Sequence, residues 1–370
     1  MKAVILGVGR MGTAIAYAMD KFGFEVVGMD TNLAAANNMP EGNKNFFPVN
    51  NVEDIFKNII SNNPRPDVVI SSLPYHQTKK VGKWCIDNEV RYCDLGGRVD
   101  VSKSINDYAR ERAKLPIFTD LGLAPGWVNI LAEEGYRRIH HKVDSVEMMV
   151  GGLPAIPSNP PLNYTVTWSI DGLINEYRDD CLILENEEVK TVKGMDGLQD
   201  IEFKFLEGEP LEAFYTSGGA SHTIEAMRSR GVKNCSYKTI RYKGHRDVVD
   251  FLIRRAKLSD DCLSQFFENG CIIHDPFMNG DVVLIKAVVK GGDVTWKKEI
   301  IVGYDNDFSA MQKATAFSIS SVAKLMAEGY FDARREQFRG YWRTLPIVLD
   351  YSSVPYDQFD KNLKELGVTS

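Results

Sequence analysis

The chain has 370 residues, 44% of them hydrophobic and 25% charged, with a net charge of −6. That length points to two or three domains, the composition to an ordinary soluble globular protein, and the acidic balance away from a nucleic-acid binder, which needs a clustered basic face. No apolar run approaches the roughly 18 residues of a membrane span, and the six cysteines show neither C-x-x-C nor paired His spacing, so reduced thiols, a cytoplasmic location and no metal site are expected.

The first element is an apolar run centred on Ala3 to Leu6, which leads straight into Gly7-Val8-Gly9-Arg10-Met11-Gly12 and then a helical pattern over 13–22. In such a G-x-G-x-x-G turn the first glycine permits the bend, the second lets backbone approach a pyrophosphate, and the third lets helix and strand pack closely. The first-turn N–H groups and the helix dipole favour an anion there. A second strand over 25–29 ends at Asp30, 18 residues beyond Gly12. An acid at that place accepts both ribose hydroxyls and repels a 2′-phosphate, which predicts NAD rather than NADP. Because a lone glycine motif is weak, the strand, helix, second strand and terminal acid are needed together.

Strands alternate with helices onward: a strand over 45–49, a helix over 52–60, a buried strand over 67–71, a helix over 77–88, a strand over 90–93, a helix over 102–113 and a strand over 116–119. This rhythm predicts an α/β fold whose N-terminal part is a Rossmann doubly wound parallel sheet. Ser72-Leu73-Pro74 and Asp94-Leu95-Gly96-Gly97 fall at strand ends, where such sheets hold their ligands, and are read as lining a cofactor or substrate. After the loop Asp120 to Gly126 and a helix over 127–139, strands are expected over 143–150, 164–168, 182–192, 238–242, 282–290 and 294–303, the last two joined by Gly291-Gly292-Asp293. With a Pro-rich turn over 151–161 and helices over 171–177 and 246–257, they predict an inserted, mostly antiparallel α+β second domain. A helical return over 308–329, and a further helix over 356–366 beyond Pro346 and Pro355, close the chain. The expected domains are 1–125, 126–307 and 308–370, and a homodimer or higher homo-oligomer is expected from the second.

The densest polar cluster is Lys238 to His245. On a strand, Lys238, Ile240 and Tyr242 face one way and Thr239 and Arg241 the other, with His245 opening the next helix. Arginine binds a carboxylate bidentately, and histidine is suited to proton transfer near neutral pH.

GVGRMG (7–12), SSLPYH (71–76), DLGG (94–97), TDLGLAPGWVNILA (119–132), GGLP (151–154), WSIDGLINEY (168–177), LEAFYTSGG (211–219), YKTIRYKGH (237–245) and ATAFSISSVAKLMAEG (314–329), in that order, resemble the saccharopine dehydrogenase-like reductases, and within them the branch that oxidises the 6-amine of L-lysine. The resemblance implies NAD held by Gly7, Gly9, Arg10, Met11, Gly12 and Asp30, with Ser72, Leu73, Pro74 and Gly97 along the ribose and nicotinamide. It implies Arg241 on a substrate carboxylate and Asp120 beside the reacting amine. Asp94 is a further substrate-binding candidate, and Tyr242 and His245 are further catalytic ones. The implied reaction turns the 6-amine into an aldehyde with release of ammonia. Saccharopine or carboxynorspermidine is the alternative substrate; it needs a second carboxylate clamp, for which Lys238, Arg228 and Arg230 are candidates. A catalytically silent NAD-binding regulator and a hydroxy-acid dehydrogenase are the alternatives of another class.

Overall fold

Short β-rich segments bounded by glycine and proline leave little freedom in how the first part of the chain pairs. A computed structural model describes residues 1–369 apart from 42–44, 62–64, 158–161, 204–208, 272–279, 333–334, 339–340 and 345–346, with backbone alone at 60–61, 335–338 and 341–344. The chain divides into two compact units: unit 1 is Met1–Ile130 with Ala314–Thr369, and unit 2 is Leu131–Lys313.

Unit 1 is built on six parallel strands: β1 (Lys2–Leu6), β2 (Glu25–Asp30), β3 (Asn45–Pro48), β4 (Val68–Ser71), β5 (Tyr92–Asp94) and β6 (Ile117–Phe118). Their order is β3-β2-β1-β4-β5-β6. The order reverses between β1 and β4, so the crevice outside Leu6 and Ser71 is the topological switch point. The sheet is buried on both faces, and β1 has no exposed position after Met1. Val4, Leu6, Val27 and Met29 project to one side, where Ile55, Val81 and Ile105 of helices α2 (Val52–Ser61), α3 (Tyr75–Asp87) and α4 (Val99–Arg112) meet them. Each such buried side chain contributes about 1.5–3 kcal/mol relative to exposure. Helix α1 (Arg10–Lys21) packs on β1 and β2. The returning chain passes through a π-helical turn, Lys313–Phe317, into a helix at Ser318–Ala327 that contacts α1, β4 and β5, as the sequence predicts for a C-terminal helical return. Small residues make this approach possible: Ser318, Ser320, Ser321 and Ala323 are fully buried.

Helix α5 (Trp127–Arg138) carries the chain into unit 2, whose sheet follows the path β10-β11-β12-β7-β13-β14. These strands are β7 (Ser145–Pro154), β10 (Gln199–Ile201), β11 (Leu211–Tyr215), β12 (Asn234–Tyr242), β13 (Asp281–Gly291) and β14 (Val294–Gly303). All neighbours on this path are antiparallel except β12 with β7. One group of buried side chains joins Phe214 to Leu173, Ile174 and Tyr177 of helix α6 (Ile170–Arg178) and to Leu263 and Phe267 of helix Asp260–Gly270. A second group joins Met149, Leu153, Ile240, Tyr242 and Leu284.

Three expectations are corrected. The strand expected over 164–168 is unpaired extended chain, because Tyr164 and Val166 anchor it through side-chain burial rather than through a ladder. The strand expected over 182–192 is a hairpin of β8 (Asp180–Glu185) and β9 (Glu188–Lys193). Its turn residues, Asn186 and Glu187, take φ of 53° and 69° without a glycine to announce them. The helix expected over 246–257 is His245–Asp250 followed by a π-helical turn, Phe251–Arg255. Residues 158–161 of the Pro-rich turn, and Pro346, lie outside the described residues. Among the described residues, no helix is long and apolar enough to cross a membrane.

Candidate functional site

The glycine turn is dictated by contact distances. Gly7 has φ +82°, and a Cβ on Gly12 would lie 1.8 Å from the Gly7 carbonyl oxygen, so neither position tolerates a side chain. A Cβ on Gly9 would meet nothing within 4 Å, which leaves open space beside the start of α1. No side chain caps α1, so the phosphate-binding end of the helix is not spent on the protein itself. Asp30 braces the turn: its Oδ2 accepts the Val8 N–H at 2.7 Å and its Oδ1 the Asn32 N–H at 2.8 Å. Ser72 Oγ donates to Gly7 O at 2.7 Å and so ties the end of β4 to the same turn. Leu73 is half-buried, and Pro74 and Gly97 are exposed; Pro74 opens α3, and Gly97, at φ +137°, lies against Tyr75. Arg10 is exposed and Met11 half-buried on the first turn of α1. Open space at Gly9, an uncapped helix and a carboxylate at the end of β2 fit a dinucleotide.

Beyond β5 and β6, two carboxylates meet inside unit 1. Asp94 is 1% exposed; its Oδ1 accepts the N–H groups of Gly96 at 2.9 Å and Asp120 at 3.1 Å, so it ties two loops together. Its Oδ2 is buried with no aligned donor, and the neighbouring Tyr92 hydroxyl is felt electrostatically without forming an aligned bond. Burial first, and the charge of Asp120 second, push the Asp94 carboxyl up to about 7. Asp120 is 3% exposed and sits at φ +61°, a left-handed conformation that a non-glycine residue adopts at a cost. Ser102 Oγ donates to its Oδ1, and Tyr351 Oη donates to its backbone oxygen at 2.8 Å. Gly96 is required here, since a Cβ would lie 2.4 Å from Asp120 Oδ1. Asp94, which the sequence offers as a substrate ligand, thus has one oxygen committed to two backbone donors and the other enclosed.

The usual carboxylate value is 3.8, so folded Asp94 keeps a proton that the unfolded chain releases. The stability this confers is full below about pH 4 and is lost as pH rises through 7. Asp94→Asn keeps an oxygen acceptor for both N–H groups and copies the neutral acid. Its urea midpoint is therefore expected to change less between pH 5 and pH 8 than that of the wild type. Equal slopes in the two proteins would mean that Asp94 is ionised throughout.

In unit 2, β12 and α6 bring together a second buried group. Arg241 is 3% exposed, and its guanidinium lies over the rings of Tyr164, 4.7 Å from the centroid, and Tyr177, 5.8 Å away. Its Nε donates to Tyr177 Oη at 2.9 Å and its Nη1 to the Ile240 oxygen at 2.9 Å. Tyr177 Oη in turn lies 3.0 Å from His245 Nε2, and His245 Nδ1 lies 2.9 Å from the Leu162 oxygen. A carbonyl only accepts, so Nδ1 carries the hydrogen and Nε2 accepts from Tyr177. The bonds run in one direction, from Arg241 to Tyr177 to His245 to Leu162. His245 is 0% exposed, and burial, with the charge of Arg241, pushes its pKa down to about 3. It is a neutral ring with both nitrogens engaged. Tyr242 points to the other face, as strand alternation requires, and donates to the Pro154 oxygen at 2.9 Å.

The sequence reading omitted Glu176 and Tyr177. Both lie in the segment Trp168 to Tyr177, at the end of an amphipathic helix, where Asn175-Glu176-Tyr177 is the available signal. The cations suggested for a second clamp are engaged elsewhere, except exposed Arg228. Lys238 Nζ donates to Gly197 O and Gln199 Oε1, both at 2.7 Å, and Arg230 Nη1 pairs with buried Glu133 at 2.6 Å.

Two family descriptions match the chain: the saccharopine dehydrogenase NADP binding domain over residues 3–115, and the saccharopine dehydrogenase C-terminal domain over residues 122–345. Alpha-aminoadipic semialdehyde synthase, mitochondrial, of Rattus norvegicus is 28% identical over 198 residues, 51% of this chain and 21% of that protein. Saccharopine dehydrogenase [NADP(+), L-glutamate-forming] of Saccharomyces cerevisiae is 26% identical over 203 residues, 53% of this chain and 44% of that protein. The match thus spans about a fifth of the rat relative and under half of the yeast one. The apo structure of histidine-tagged saccharopine dehydrogenase (L-Glu forming) from Saccharomyces cerevisiae shares the fold, with a TM-score of 0.72 at 16% identity over 99% of this chain and 98% of that one. Unit 1 is accordingly a nicotinamide-dinucleotide domain, and the chain belongs to the saccharopine dehydrogenase family.

Proposed function

We propose that this chain is an NAD-linked dehydrogenase of an amino-acid C–N bond and that its substrate is L-lysine, oxidised at the 6-amine to the semialdehyde with release of ammonia. The observation that supports this most is Arg241: a buried guanidinium, held in place by Tyr177 and Ile240, with no carboxylate at ion-pair distance among the described residues. A buried charge without a partner is costly, so the position suits an anionic substrate group. Gly7, Gly9, Arg10, Met11, Gly12 and Asp30 hold the dinucleotide, with Ser72, Leu73, Pro74 and Gly97 beside it. When bound, the nicotinamide supplies the hydride acceptor. Arg241 binds the substrate carboxylate and Asp120 takes the proton of the reacting ammonium, while Ser102 and Asp94 fix Asp120 in its conformation. Tyr177 and His245 orient Arg241 rather than move protons, and Tyr242 is a packing residue.

A second reading, saccharopine as the substrate, is favoured by the names of the relatives. It asks for further cations, and two of the three candidates, Lys238 and Arg230, are already paired. Turnover with NAD over a panel of L-lysine, L-ornithine, saccharopine, carboxynorspermidine and 2-hydroxy acids separates these readings. Activity confined to hydroxy acids would overturn the proposal, and silence across the panel with NAD bound would mark the chain as a regulator.

The cofactor choice has its own test. Asp30→Ala removes the ribose acceptor and leaves the Val8 N–H without its partner. NAD affinity is expected to fall about 10- to 100-fold, the loss of a bond to a charged group, while discrimination against NADP relaxes. An unchanged Michaelis constant for NAD would refute the assignment.

A further inference from the structure

Arg241 feels one nearby carboxylate, Glu176, and the two do not form an ion pair. Glu176 is the residue before Tyr177 on α6, so neighbouring positions of one helix address the same guanidinium. Tyr177 does so through a hydrogen bond to Nε, and Glu176 through its charge alone. Consecutive helix residues project about 100° apart, so the two approach from different directions. The Glu176 side chain is half-buried and makes no hydrogen bond among the described residues, whereas its backbone oxygen accepts the Ser217 N–H at 3.0 Å and fixes that end of the helix. Burial holds its carboxyl up at about 7, and the charge of Arg241 offsets this only in part.

Opposite charges desolvated so near one another collapse into a pair unless each is held back. Arg241 is held by two hydrogen bonds and two aromatic rings. What complements both charges at once is a group that carries a carboxylate and an ammonium on one carbon. We infer that Glu176 is the ammonium ligand beside the carboxylate ligand Arg241, so that unit 2 recognises an intact α-amino-acid head rather than any carboxylate. The inference rests on the carboxylate role given to Arg241 above. It makes the head group, and not the amine that reacts, the primary determinant of what binds. Tyr164 and Tyr177 supply the aromatic wall, and Glu176 supplies the discrimination.

The test uses the NAD-loaded protein and three probes that carry no reacting 6-amine: L-norleucine, hexanoate and pentylamine, each titrated calorimetrically. In the wild type, L-norleucine is expected to bind at least about tenfold more tightly than hexanoate, the worth of a bond between charged groups. Glu176→Gln, of the same size, is expected to close that gap by weakening L-norleucine and leaving hexanoate within about threefold. A preserved ratio in Glu176→Gln, or equal binding of L-norleucine and hexanoate by the wild type, overturns the inference and leaves the carboxylate role of Arg241 standing. Failure of both carboxylates to bind the wild type, or binding of pentylamine alone, overturns the carboxylate role itself.

Discussion

Arg241→Lys is expected to lower kcat/KM for the amino-acid substrate by on the order of 100- to 1000-fold while leaving the dinucleotide Kd within about threefold of the wild type. Lysine keeps the charge but loses the planar fork, the stacking on Tyr164 and Tyr177, and the Nε–H that engages Tyr177. Its ammonium would also stand in a buried place without the delocalisation that lets a guanidinium tolerate desolvation. Because Arg241 lies in unit 2 and the glycine turn in unit 1, a selective loss is the signature of a substrate ligand. Steady-state kinetics with each ligand varied in turn, alongside a thermal unfolding curve, measures it. Equal losses for substrate and dinucleotide, with a lowered Tm, would mean that Arg241 only holds unit 2 together.

Gly12→Ala is the other large effect, and here sterics decide. The added carbon would lie 1.8 Å from Gly7 O and 2.8 Å from Gly7 C, both backbone atoms that no rotamer change can move. Relief requires the turn to open or α1 to shift from β1, at a cost on the order of 3 kcal/mol. The same movement withdraws the helix N-terminus from its anion, so NAD affinity is expected to fall by more than about 100-fold. A urea midpoint and a fluorescence titration with NAD report the two consequences separately. A Gly12→Ala protein that binds NAD within about threefold of the wild type would show that this turn is not the cradle.

The parts of the molecule that local sterics determine were legible in the sequence. Gly7, Gly12 and Asp30 act within one β-α-β segment, so spacing alone exposes them, and the apolar runs of β1 and β4 have no other use than a buried parallel strand. The β8–β9 turn was hidden because Asn186 and Glu187 adopt positive φ where glycine is the usual sign. Tyr164 read as a strand residue because a chain packed by its side chains shows the same pattern as a paired one. His245 drew attention as the histidine in a polar cluster, yet its surroundings come from Leu162 and Tyr177, 83 and 68 residues away, which no local window contains. Glu176 has meaning only beside Arg241, and one chain without its fold does not show that pairing.

The most direct measurement is NADH absorbance together with ammonia after the purified protein is mixed with NAD and L-lysine, with saccharopine run in parallel. NADH and ammonia rising one for one from L-lysine, with little from saccharopine, is the result predicted here. NADH from saccharopine without ammonia, and none from L-lysine, would contradict it.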